Sequence, residues 1–176
     1  GAAAIKILDF FEEYYGIDYP GSKLDLIAVP DFAMGAMENV GAVTFRETLL
    51  LIDVEKATRS ELSRSISVIA HELAHMWFGD LVTMDWWDGI WLNEAFASLM
   101  EVIASEATYP EFKLWNEMNQ DRSRGFGVDS LKSSRPVEFE VKSPEEAEEM
   151  FDVLTYQKGS TVLRMFETFI GEESFK

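Results

Sequence analysis

Every histidine in this chain sits in one five-residue stretch, His71-Glu72-Leu73-Ala74-His75. The stretch constrains the fold because its two imidazoles share a face only if it is helical: positions i and i+4 then stand one turn apart. Two imidazoles so placed can grip one metal ion, and Glu72 between them can act as a base on water that the metal activates. H-E-x-x-H also arises by accident, and a histidine on an apolar helix is more often packed than functional, so the surroundings decide. Thr58-Arg59-Ser60-Glu61 reads as a capping box that starts a helix. Leu62, Ile66, Ile69, Leu73 and Trp77 then form one apolar stripe, and Gly79 is a natural stop. The chain has no cysteine and no third histidine. Any further protein ligand for zinc is therefore a carboxylate, which is the His₂Glu set of catalytic sites.

A second helix offers that carboxylate. Asp88 can cap it, and Leu92, Phe96, Leu99 and Ile103 give it an apolar face. Glu94 is the one charged residue in the run Ile90 to Ala97, which is apolar apart from it and Asn93, and a buried carboxylate without a partner is costly. The eighteen residues between His75 and Glu94 allow a turn and a return to antiparallel packing. Glu101, seven residues on, and Asn93 could each orient a ligand histidine, although both also read as ordinary surface groups.

H-E-x-x-H, eighteen residues and then Asn93-Glu94 resembles the gluzincin aminopeptidases of the aminopeptidase N family. Gly35-Ala36-Met37-Glu38-Asn39 matches that family's G-A-M-E-N motif, and Tyr156-Gln157-Lys158-Gly159 its Y-x-K-G. Ser133-Ser134-Arg135-Pro136-Val137 looks like the loop before the family's last catalytic helix. The likeness runs from Asp9-Phe10-Phe11 to Gly171-Glu172-Glu173, with one departure: Ala95 stands where the family usually has glycine.

The resemblance implies a thermolysin-like α+β domain binding one zinc per chain through His71, His75 and Glu94. It implies Glu72 as general base and acid and Tyr156 as the donor to the developing oxyanion. The glycine and alanine of the G-A-M-E-N segment let a substrate backbone approach an extended edge and add to it as a strand. By resemblance Glu38 binds the free α-ammonium of a peptide, which fixes the cut one residue from its N-terminus. Gly35, Ala36, Met37 and Asn39 complete that binding segment, and Met34 lies by the first side-chain pocket, where a flexible thioether suits varied side chains. Family members usually carry a β-rich domain before this region and a helical domain after it. Residues 1–176 are accordingly expected to be a catalytic domain without those neighbours.

Composition closes off other classes. The net charge of −17, from 32 acids against 15 bases, argues against nucleic acid and anionic membranes as partners. No apolar run reaches the eighteen or so residues of a membrane span. The first residues, Gly1 to Lys6, are too short and weakly charged for a signal peptide. A cysteine-free chain fits the cytoplasm.

The pattern predicts a helix over 3–15 and strands over 24–29, 42–45 and 49–52. Helices are predicted over 59–78, 89–106, 110–122, 144–152 and 159–169, with a loop from Gly125 through Pro136. Strands first and helices later give α+β, a small N-terminal sheet followed by a mostly helical part. Three alternatives stay open: a zinc endopeptidase, an epoxide hydrolase on the same site, and an inactive scaffold domain.

Overall fold

The computed structural model describes residues 1–176. Helix α1 (Ala2–Tyr15) buries Ala4, Ile7 and Phe11, the 3–4 spacing of a single face, and ends at Gly16 in the left-handed region with φ 63°. Three strands follow: β1 (Asp25–Val29), β2 (Ala36–Met37) and β3 (Ala42–Arg46). They order as β1-β3-β2, with β1 parallel and β2 antiparallel to the central β3. Val43 and Phe45 point one way from β3 into the core, as the two-residue period of a strand requires.

The predicted strand over 49–52 is instead a short helix, α2 (Glu47–Leu50), with only Leu49 buried and Leu51 exposed. A four-residue apolar run carries no period of its own. Here Ser65 of the next helix donates to the Leu49 carbonyl at 2.6 Å and holds the turn against it.

Helix α3 (Arg59–Ala74) starts on the expected box: Thr58 accepts from the Glu61 backbone N–H, and the Glu61 side chain accepts from that of Thr58. Its regular bonding stops at His75 rather than 78. The chain then widens, with Asp80, Leu81 and Val82 donating five residues back to His75, Met76 and Trp77. The apolar stripe nevertheless continues, so Met76 and Trp77 remain buried.

Helix α4 (Ile90–Thr108) packs along α3 more extensively than any other pair of elements. Asp88 does not cap it; the Asp88 carboxylate instead accepts from the Val141 backbone N–H at 2.5 Å. Helix α5 (Leu114–Asp129) runs through the glycines that read as a loop. Gly125 is buried there, and a Cβ on it would stand 3.3 Å from Gln157 Cβ. The glycine marks a close approach between helices rather than a break.

Helix α6 (Pro144–Glu148) begins on Ser143 as the Ser-Pro pattern predicts, but stops four residues early. Residues Leu154–Lys158 wind as a π-type turn that leads directly into α7 (Gly159–Ile170), and α8 (Glu172–Phe175) closes the chain. Gly159 faces Ala95 across α4 and α7, where a Cβ on the glycine would meet the alanine methyl at 2.7 Å. The alanine that departs from the family pattern is thus accommodated by the missing side chain opposite.

The main core joins α1, the sheet, α3 and α4 through Ile7, Phe11, Phe45, Leu73, Met76 and Met100. No helix is long and apolar enough to cross a membrane.

Candidate active site

His71 lies in the last turn of α3, His75 caps it, and Glu94 rises from the second turn of α4. The packing of these two helices brings the three together. His71 Nε2 is 3.2 Å from His75 Nε2 and 3.2 Å from Glu94 Oε2, and His75 Nε2 is 3.6 Å from the same oxygen.

The outer nitrogens are already committed. His71 Nδ1 donates to Glu101 Oε2 at 2.8 Å, and Glu101 is itself steadied by Ser67 Oγ at 2.8 Å. His75 Nδ1 faces two acceptors, the Phe78 carbonyl at 3.0 Å and Asn93 Oδ1 at 3.2 Å, so the proton belongs on that nitrogen. Both Nε2 atoms are therefore left facing inward, where they could ligate a metal ion. The supporting roles that the sequence offers Glu101 and Asn93 correspond to these contacts.

The electrostatics of the cluster favour positive charge at its centre. Burial pushes the His71 imidazole down, but hydrogen bonds to Glu101 and Glu94 outweigh it and hold its pKa well above the usual value. Burial pushes Glu94 up, yet bonds from both histidines hold its carboxyl well below the usual carboxylate range. A proton or a metal ion would meet this demand, and the spacing of the donors fits the metal. Ligands about 2.0–2.1 Å from a tetrahedral zinc stand ~3.3–3.4 Å apart, against edges of 3.2, 3.2 and 3.6 Å here.

Glu72 is buried beside this triangle, and burial raises its carboxyl to about 7. Tyr156, on the π-type turn, brings its ring centroid to 6.1 Å from that of His71. Burial, then the charge of Glu94, push its phenol up, so it stays a protonated donor.

A cleft of about 680 Å³ is lined by His71, Glu72, His75, Glu94 and Tyr156, with Met34, Gly35, Ala36, Met37 and Glu38 also in its wall. Ala36 and Met37 form β2, an edge strand that pairs only with β3 through Ala36↔Phe45 and Met37↔Thr44. Glu38 Oε1 accepts from Asn93 Nδ2 at 3.3 Å, while its other oxygen has no donor within the chain. Met34 is exposed at the rim. Asn39 does not line the cleft; its carbonyl accepts from the Ala42 N–H at 2.9 Å and closes the turn into β3. A second cavity of about 360 Å³ adjoins Glu38 and Glu94, walled by Met84, Trp87, Ile90 and Phe151, none of which the sequence singles out for a site.

Gly79 does more than stop a helix. With φ 133°, it lies so close to the histidine supports that a Cβ would meet Asn93 Oδ1 at 2.3 Å. Any side chain there would push into the contact that fixes His75.

Comparison with known proteins gives the family of the sequence. The chain matches the Peptidase family M1 domain over residues 2–176. It is 47% identical over 171 residues to Aminopeptidase M1 of Arabidopsis thaliana, covering 97% of this chain and 20% of that protein. It is 51% identical over 174 residues to Endoplasmic reticulum aminopeptidase 2 of Homo sapiens, covering 99% of this chain and 18% of the relative. Probable aminopeptidase 2 of Sulfurisphaera tokodaii is 49% identical over 174 residues, which is 98% of this chain and 22% of that protein. The chain thus spans about a fifth of the length of these relatives.

Proposed function

Because this chain belongs to peptidase family M1, we propose that it carries the catalytic centre of a zinc-dependent aminopeptidase, which removes the N-terminal residue of peptides. The observation that carries the reading is the convergence of His71 Nε2, His75 Nε2 and Glu94 Oε2 within 3.6 Å of one another. They would hold one zinc ion.

When bound, zinc lowers the pKa of a water toward ~7 and polarises the scissile carbonyl. The chain's own groups do the rest. Glu72 takes the proton of the attacking water and delivers one to the leaving amine; its burial in the cleft wall beside both histidines suits it to that exchange. The Tyr156 phenol donates to the oxygen that becomes negative as the tetrahedral centre forms. The exposed edge of β2 accepts the peptide backbone as an added strand. Glu38, with one oxygen free of protein donors, binds the α-ammonium and sets the length of substrate admitted beyond the cut to one residue.

The test measures zinc content and hydrolysis of one peptide amide in free and N-acetylated forms, with and without chelator. About one zinc per chain, chelator-sensitive turnover and loss of cleavage on acetylation are the expected results. Equal cleavage of the two forms would make the enzyme an endopeptidase and remove Glu38 from its role, because an acetylated amine would leave that carboxylate unpaired.

A further inference from the structure

The turn that carries Tyr156 packs on α4 and α5, but no side-chain hydrogen bond ties it to α3, which carries the histidines. The turn's polar bonds run to a strap, residues 133–136, and converge on Arg135. From its side chain, Arg135 Nη2 donates to Asp152 Oδ1 at 2.7 Å and to Thr155 Oγ1 at 3.0 Å. Asp152 Oδ1 in turn accepts from the backbone N–H groups of Leu154 at 2.9 Å and Thr155 at 3.0 Å, which caps the start of the turn. From its backbone, the Arg135 carbonyl accepts from Lys158 Nζ at 3.3 Å, at the far end of the same turn. Lys158 also donates to Asp129 Oδ1 at 2.7 Å, and Ser134 Oγ donates to that oxygen at 2.5 Å. One residue thus grips both ends of the five-residue segment that presents Tyr156.

We infer that Arg135 is a positioning residue for Tyr156, acting with Asp152 and Lys158 to fix where the phenol stands over the cleft. The inference rests on the role of Tyr156 proposed above. A π-type turn has poorer internal bonding than an α-helix and persists where its surroundings define it. Here α4 and α5 supply the packed part of those surroundings, and the strap supplies the polar part. The guanidinium's planar fork divides its donors in a fixed geometry, with Nη2 on the turn and Nη1 on the Pro136 carbonyl at 3.1 Å, which a lysine ammonium does not reproduce. Arg135 and Asp152 are partly buried, with side-chain exposures of 16% and 41%, so their bonds are only partly screened by water. Neither residue touches the histidines or Glu94, so losing them should displace the donor and spare the metal.

The experiment compares Arg135→Ala, Arg135→Lys and Asp152→Asn with the parent chain, each also carried in a Tyr156→Phe background. Misplacing a catalytic group by about 1 Å costs ~10²-fold. The single variants should lose kcat on that scale, with KM and zinc content unchanged. In the Tyr156→Phe background the same changes should cost nothing further, since residues acting through one group are not additive. Arg135→Lys should fail to restore the rate, because the charge without the fork does not rebuild the grip.

A second readout is independent of turnover. With 3-fluorotyrosine incorporated throughout, the ¹⁹F resonance absent from the Tyr156→Phe protein reports Tyr156. Arg135→Ala should shift and broaden it. An unmoved, sharp resonance, or losses that simply add in the double variants, would overturn the inference. If Arg135→Ala does not fold, Arg135→Lys and Asp152→Asn carry the same comparison. If Tyr156→Phe turns over at the parent rate, the catalytic reading of the tyrosine fails, while the resonance still decides whether Arg135 holds it in place.

Discussion

The cleft has two halves built on different principles. The histidine half comes from regular geometry: two proposed ligands one helical turn apart at the end of α3, and a third on α4, which packs along it. The tyrosine half comes from irregular geometry. A π-type turn is tied by side chains to a strap about twenty residues upstream and to the last residue of α5. The first half is stiff because buried apolar packing surrounds it, with Leu73, Met76 and Met100 fully buried. The second packs on α4 and α5 but adds to that packing a set of polar bonds at partly exposed positions. Changes to the first half are therefore expected to show in metal and stability together, and changes to the second in rate with the metal in place.

The largest break in that comparison comes from the ligands. His71→Ala or Glu94→Ala should lose zinc and turnover together. Breaking a buried charged set by removing one partner typically costs ~3–5 kcal/mol, so the melting temperature should fall too. Metal analysis and calorimetry on the same sample check this, and full zinc occupancy in His71→Ala would refute the ligand assignment.

Glu72→Gln isolates chemistry from binding within the histidine half. The amide fills the same buried space but cannot take a proton, so turnover should fall by ~10²–10⁴-fold. Zinc content should match the parent. Near-normal kcat would exclude Glu72 from proton transfer.

Tyr156→Phe is the matching change in the other half. Losing one transition-state donor costs ~10²–10³-fold in rate, with KM and zinc little altered. If the variant instead unfolds and releases zinc, the two halves are not separable and the tyrosine is structural.

The same division governs how much of the molecule is legible in its sequence. The spacing of His71 and His75 is internal to one helix, so sequence alone places them on one face. Glu94 stands out as an acid in an apolar run, and its burial on α4 follows from that run. The α+β order, a small sheet and then helices, is readable from strand-like segments giving way to helical periods. The features that the pattern misreads are set at long range. Gly125 reads as a loop because its reason, contact with Gln157, lies thirty-two residues away in the sequence. Asp88 reads as a cap because nothing nearby announces the Val141 N–H as its partner. The run 49–52 reads as a strand because four apolar residues do not choose a period. Arg135 is visible only as part of a motif. The one local signal for the strapped turn is Asp152, placed before Leu154 and Thr155 as a capping acid would be.

The smallest expected effect sharpens the contrast, because it concerns a support on the histidine side that corresponds to Arg135 on the tyrosine side. Glu101 accepts from His71 Nδ1 at 2.8 Å and fixes which nitrogen of that ring is left to ligate. Glu101→Gln keeps an oxygen in reach but removes the negative charge that makes the imidazole a stronger ligand. Such supports typically contribute about 10–100-fold to metal affinity. Titration with a competing chelator should show zinc bound more weakly on that scale, while turnover per bound zinc stays close to the parent. That is the reverse of the signature expected for Arg135, where zinc affinity holds and turnover falls. If Glu101→Gln lowered kcat at saturating zinc as much as it lowered affinity, the support would act on the reaction as well as on the metal. The two halves of the cleft would then be one coupled unit rather than two assemblies facing each other across the substrate.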